Sequence, residues 1–290
     1  MKITNKNNFP DYVVEWLKSD DYDYDYDPNT LSATTLMSPA RVYALKNKHW
    51  EDLEIDVTDL IASRYGTAIH DSVEKVGIKN AIQEIRFKTL IQGKKITGKF
   101  DLMIDMDQEE HKLVDVKSTS VWTYIYGSKD EEYIKQLSIY RYLARKNGYN
   151  VGSKADIFMI FTDWSAAKAR NDSDYPQTRI KIKPIDLWTD TETEEYIKTR
   201  ISALNEALIN LPECTEDDLW QTKTKYAVMK TGRKSAVKLF DVEEEANKQA
   251  NENKDYFVEI RPGKAKRCNY CSCRPVCDQF KELQTKGLID

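Results

Sequence analysis

The chain has 290 residues, with 44 Lys and Arg against 48 Asp and Glu, a formal charge of −4 and 40% hydrophobic residues. No apolar run approaches the ~18 residues of a membrane span, and the N-terminus lacks the continuous apolar stretch of a signal peptide. Aromatic residues at 11% and recurring apolar segments exclude a disordered chain, so a globular protein of the cytoplasm is expected.

Residues 1–33 hold seven acidic and three basic side chains, and the run DDYDYDYD (20–27) reads as an exposed acidic tail ended by Pro28 and Asn29. Its alternation suits a strand, but like charges at every second position favour solvent. From Ser63 onward, Tyr65, Ile69, Val73 and Val76 recur every three or four residues and predict an amphipathic helix. EIRFKTLI (84–91), ITGKFDLMIDM (96–106) and KLVDVKSTS (112–120) follow as a three-stranded meander joined by short polar turns. Helical spacing returns over 131–146, strands over 155–164 and 178–185, and a helix over 190–211. The remainder alternates strands at 225–230, 236–240 and 256–260 with a helix near 242–253, then closes on a cysteine cluster and a short helix. There is no internal repeat. This order predicts an α/β protein with a central mixed sheet flanked by helices. Three segments are expected: the acidic tail 1–33, a core over 34–210, and an extension over 211–290 packed on that core. Residues 223–267 carry twelve Lys and Arg against seven Asp and Glu, a basic balance that fits a polyanion-binding face as well as a solvated surface.

Asp115 and Lys117 lie in the apolar strand LVDVKS, where side chains two apart share a face. If 96–106 and 112–120 pair as a hairpin, Asp101 approaches Asp115 on that face. Two adjacent carboxylates repel unless a cation sits between them, and hard oxygen ligands suit Mg²⁺ or Mn²⁺. A lysine alongside can neutralise a phosphate or orient a water, which is what metal-assisted phosphodiester hydrolysis requires. A purely structural salt bridge competes with this reading, and the polar Glu252-Asn253-Lys254 shows how easily such a triplet arises by composition. Gln136 and Tyr140, spaced i, i+4, share a helix face, and His70 lies on the helix before the meander.

The order GTAIH (His70), ITGKFDLMID (Asp101), LVDVKS (Asp115, Lys117) and QLSIY (Gln136, Tyr140) resembles the RecB-like exonuclease branch of the PD-(D/E)XK nuclease superfamily. The resemblance covers residues 63–165, with Phe100 where the family has proline. It implies a restriction-endonuclease-like core and a metal-dependent DNA nuclease acting in phage recombination, repair or replication. It assigns the Mg²⁺ or Mn²⁺ to Asp101, Asp115 and the Val116 carbonyl, with His70 supporting a ligand or a second ion. It makes Lys117 the residue that positions or activates water, and gives Gln136 and Tyr140 to DNA contact and site ordering. Glu84 and Glu74 are lesser candidates, read as exposed carboxylates.

Four of five cysteines fall within RCNYCSCRPVC, a clustering that suggests metal binding rather than disulfides. RecB-like exonucleases with an iron–sulfur cluster pair such a triplet with a cysteine N-terminal to the core; here TTLMSPARVYAL has Ser38 before Pro39 and none. Cys214 is the remaining candidate, giving Cys214, Cys268, Cys271 and Cys277 as one four-thiolate site with Cys273 spare; a compact site from the four clustered residues is the alternative. A 4Fe–4S cluster and Zn²⁺ both accept four thiolates. The extension resembles that of phage-encoded nucleases of this superfamily and would bring Lys225, Arg233 and Lys234 to the DNA, with Trp220 and Tyr226 available for stacking. A recombination or replication protein is a possible partner, and the host cytoplasm the location if the protein is phage-encoded. Competing readings are a non-cleaving DNA- or partner-binding module, for which Lys117 has no use, and a CRISPR-associated adaptation nuclease, disfavoured by the missing N-terminal cysteine. In a further reading the acidic tail covers the basic face as an autoinhibitor.

Overall fold

A computed structural model describes residues 1–19, 27–106 and 110–289. The chain opens with β1 (Lys2–Thr4), α1 (Asp11–Lys18), β2 (Thr30–Ser32), α2 (Ala33–Met37), α3 (Ala40–Lys48) and β3 (Glu54–Asp56). Next come α4 (Ile61–Glu74), β4 (Ala81–Gln83), β5 (Arg86–Ile91), β6 (Lys94–Lys99), β7 (Leu102–Asp105) and β8 (His111–Thr119). They are followed by α5 (Val121–Tyr126), α6 (Asp130–Lys146), β9 (Val151–Phe161), α7 (Ala166–Asn171), β10 (Ile180–Asp186) and α8 (Asp190–Ile209). The chain ends with β11 (Lys225–Lys230), β12 (Lys238–Phe240), α9 (Glu243–Ala250), β13 (Tyr256–Arg261) and α10 (Asp278–Thr285).

These elements form two compact units. The larger comprises Asn5–Ser38 and Asp56–Asn210; the smaller comprises Met1–Thr4, Pro39–Ile55 and Leu211–Asp290. Residues 1–33, read as a tail, thus include β1, α1 and β2, while the run 20–26, and with it most of the autoinhibitor reading, lies outside the described residues.

The larger unit is built on a five-stranded mixed sheet in the order β10-β9-β8-β7-β4. Only the β8–β9 pair is parallel, and α5 and α6 make the crossover between them. β8 is apolar only at Leu113, Val114 and Val116, and its middle, 113–116, is buried. On one face α4 sets Ile69 and Val73 against Leu102, Val114 and Val116. The other face carries Leu113, Asp115 and Lys117, successive side chains alternating across the strand. α6 has acids in its first turn and Arg145 and Lys146 in its last, matching the helix dipole. Its Leu137, Ile139 and Leu143 are fully buried. α8 begins with a reciprocal capping box between Thr189 and Glu192.

One expected strand is divided. Residues 96–106 form β6 and β7, interrupted at Phe100 and Asp101, and the two halves belong to different sheets. β6 pairs with β5 and β2, whereas β7 pairs with β8 and β4. Phe100 turns into the core against Phe87, their ring centroids 5.2 Å apart, and this apolar anchor holds the break. The meander is therefore two hairpins, of which only β7–β8 brings Asp101 toward Asp115.

In the smaller unit β12-β11-β13 form an antiparallel sheet, with α9 packed on it through the fully buried Ala246. Leu45 and Leu53 from Pro39–Ile55 cluster with Cys273, which explains why that segment groups with residues 211–290.

Candidate active site

Asp101 sits at the break between β6 and β7, where its carboxylate is free of the ladder. Its Oδ2 accepts the Val116 amide at 2.7 Å, and its Oδ1 lies 3.3 Å from His70 Nδ1 on α4. Asp115 projects from β8 and is only 2% exposed. Its Oδ2 lies 2.7 Å from Lys117 Nζ, an enclosed ion pair. An acid buried beside a second carboxylate, with one lysine to offset both, is costly, a cost that a bound cation would relieve.

The electrostatics agree. Burial pushes the Asp115 carboxyl up to about 6; the Lys117 charge opposes this and the Asp101 charge adds to it. For Lys117, burial works against the charge, but Asp115 and Asp101 outweigh it and hold the ammonium above its ordinary range. The hydrogen bond to Asp101 raises His70 above its usual value against the opposing effect of burial. Tyr140 is raised by burial, and Gln136 Nε2 donates to its hydroxyl at 2.9 Å. Gly98 lets the Tyr140 ring approach β6: a Cβ there would stand 2.7 Å from the ring.

These residues line one open cleft of about 800 Å³. His70, Asp101, Asp115, Lys117, Gln136 and Tyr140, expected together from sequence, all border it. Glu84 borders it too, where an exposed carboxylate was expected. It adopts a left-handed backbone at φ 55°, and donor atoms of His70, Glu84 and Asp101 lie within 4.8 Å of one another. Lys99 pairs with Glu84 at 2.5 Å. The strand expected over 84–91 begins at Arg86, so Glu84 precedes it rather than lying in it. The hard carboxylate oxygens of Asp101 and Glu84 and the His70 imidazole fit a divalent ion, and Asp115 lies outside that group of three.

Lys225, Arg233 and Lys234 belong to the smaller unit. Lys225 is paired with Asp241, and Arg233 Nε donates to Ser235 Oγ at 2.8 Å. In the same unit the five cysteines border one small apolar cavity. Arg41, itself buried, donates from Nε to Cys277 Sγ at 3.3 Å and pairs with Asp278. Gln279 clamps Cys214 through two reciprocal hydrogen bonds to its backbone, at 2.9 and 3.0 Å. Burial raises Cys214 to about 12 and Cys268 to about 11. Cys271 is lowered to about 6 by a hydrogen bond from Cys273.

Residues 32–278 match the PD-(D/E)XK nuclease superfamily, and the chain belongs to it. Its mixed sheet and flanking helices are those of a restriction-endonuclease-like fold. Among solved structures it is similar to SSO0001, at 19% identity and a TM-score of 0.46, over 67% of this chain and 86% of that one. It is also similar to a phage-related exonuclease from Haemophilus somnus 129PT, at 14% identity and a TM-score of 0.37, over 69% and 93% of the two chains. An alkaline exonuclease from Laribacter hongkongensis shows 15% identity and a TM-score of 0.33, over 63% and 91%. No curated protein matches the chain. Among the described residues, no helix is long and apolar enough to cross a membrane.

Proposed function

We propose that the protein is a Mg²⁺- or Mn²⁺-dependent DNA exonuclease of the RecB-like branch, serving recombination, repair or replication of phage DNA. The observation that carries this reading is the meeting of Asp101, Asp115 and Lys117 in one cleft, with His70 and Glu84 beside Asp101. Asp101, Asp115 and the Val116 carbonyl would hold the ion, which when bound supplies Lewis acidity toward a phosphoryl oxygen. Lys117 keeps its proton at neutral pH because its carboxylate neighbours favour the charged form. It therefore serves as a donor that orients water and offsets charge developing on the phosphate, rather than as a base. His70 fixes the Asp101 carboxylate through Nδ1, and Gln136 holds the Tyr140 hydroxyl toward the cleft. Glu84 supplies a further carboxylate beside His70.

We assign a structural 4Fe–4S cluster to Cys214, Cys268, Cys271 and Cys277, with Cys273, which borders the same cavity and packs against Leu45 and Leu53, the remaining thiol. Zn²⁺ accepts the same four thiolates and is the alternative.

The test is digestion of end-labelled linear single- and double-stranded DNA and of closed circular DNA, with Mg²⁺, Mn²⁺ or EDTA. Linear DNA should be degraded only with metal, and circular DNA spared. Lys117→Ala and Asp115→Ala should each cut cleavage by about a hundredfold or more; full activity in both would refute the assignment.

A further inference from the structure

The strand that carries Asp115 and Lys117 runs through Thr119 directly into α5. Asp163 pins that entry twice: the Ser120 hydroxyl donates to its Oδ2 at 2.6 Å, and the Val121 amide to its Oδ1 at 2.7 Å. The sequence of α5, VWTYIY, consists wholly of β-branched and aromatic residues, poor helix formers. Burial does not account for them, because only Val121 is buried. Trp122 and Tyr126, spaced i, i+4, stack with ring centroids 5.7 Å apart and 18° between planes. Trp122 is 39% exposed and Tyr126 73% exposed.

The pair has a rigid backing. Tyr175 is buried, meets Trp122 edge-on at 6.3 Å and accepts the Ser165 amide on its hydroxyl at 3.0 Å. Lys168 Nζ stands 4.6 Å from the Trp122 ring. Large rings held in parallel in contact with water, with an ammonium beside them, match the chemistry of an unpaired nucleobase and its phosphate. Duplex DNA hides its base faces in the stack and cannot use such a surface. Five residues separate Lys117 from Trp122, which limits the gap to about 17 Å at strand rise, a span of a few nucleotides.

The geometry points to Trp122 and Tyr126, with Lys168, as a stacking platform for unpaired bases of a single DNA strand adjoining the cleft. This rests on the nuclease reading and narrows its substrate to DNA with a single-stranded segment. Both oxygens of the nearby Asp163 are committed to the Ser120 and Val121 donors, which restrains that carboxylate at the start of α5.

Tyr126→Ala removes the more exposed ring, and Tyr126→Phe keeps it. Fluorescence anisotropy in EDTA, where nothing is cleaved, would compare labelled oligo(dT) with a blunt duplex of the same length. Tyr126→Ala should lose roughly tenfold in oligo(dT) affinity and less than twofold for the duplex, and Tyr126→Phe should bind as the wild type does. Unchanged oligo(dT) binding in Tyr126→Ala, an equal loss on both ligands, or failure of Phe to restore binding would each overturn the platform. Metal-dependent digestion by the wild type, run in parallel, separates the two ideas. Cleavage with an unaffected Tyr126→Ala removes the platform alone, whereas a wild type that neither cleaves nor binds DNA removes both.

Discussion

Lys117 and Asp115 place opposite demands on one buried spot. The lysine is charged because the acids are there, and the acid at 115 resists ionisation because it is buried. Replacing Lys117 with Ala should lower kcat by about 10²- to 10³-fold, the cost of one preorganised donor. The same change should leave divalent affinity intact or improved, since a cation is removed beside the ligands; calorimetric titration with Mn²⁺ would show it, and a lost Mn²⁺ site would instead make Lys117 structural. Asp115 sets the pH response. Its carboxyl holds a proton up to about pH 6 in the folded state, whereas the unfolded chain releases it near 3.8. In the metal-free protein the folded state thus binds more protons between these values, so this group lowers stability as pH rises through the window, the reverse of a salt-bridged surface acid. The ion must displace that proton. Divalent affinity should therefore fall about tenfold per unit below pH 6 and level off above it, and a pH-independent affinity would show that Asp115 is no ligand.

At the scale of elements, the decisive feature is how closely α6 approaches β6. Gly98→Ala would set a Cβ 2.7 Å from the Tyr140 ring and 2.9 Å from Leu143. Tyr140 is buried and its hydroxyl is held by Gln136, so the ring has little room to yield. Overpacking of this kind costs about 1–3 kcal/mol, a fall in Tm of roughly 2–10 °C for a domain of this size. Activity should fall further than stability alone explains, because the displaced ring lines the cleft; a variant with wild-type Tm and turnover would show that the contact relaxes freely. The glycine was legible in sequence as part of ITGKFD, but its reason was not, since the helix it meets lies some 40 residues later. The alternation LVDVKS placed Asp115 and Lys117 on one face, and their ion pair bears that out. The division of 96–106 was illegible for a similar reason. Phe100, between Lys99 and Asp101, carries no turn signal, and only its packing against Phe87 reveals that the chain leaves one sheet and enters another. Glu84, read as the first residue of the strand 84–91, was discounted because an exposed carboxylate is the ordinary outcome for a lone acid on a strand. Its approach to His70 depends on a left-handed residue that no local pattern announces.

On the scale of the whole molecule, the two units differ in what holds them together. The larger buries side chains along its five-stranded sheet, α6 and α8, with a small cluster of Leu102, Val114 and Val116 besides. The buried core of the smaller includes two separate small clusters, Leu45–Leu53–Cys273 and Leu219–Ala265–Cys268, each containing a cysteine. Small cores of this sort are ordinarily reinforced by a metal or a cross-link. The union of Pro39–Ile55 with residues 211–290 left no trace in the sequence, because segments so far apart share no periodicity; only the cysteine spacing hinted that distant chain is tied together. The cavity that all five cysteines border therefore stands where reinforcement matters most. Protein purified without oxygen should absorb broadly near ~400 nm, as a thiolate-bound cluster does, and Cys271→Ser should lose that band. Limited proteolysis of the Cys271→Ser protein should then cut first within 211–290 while 56–210 persists, since only the smaller unit depends on the thiolates. A colourless wild type carrying stoichiometric zinc would replace the cluster with zinc. Equal digestion of both units would mean that the cysteines support the chain as a whole, and that the smaller unit has no separate need of them.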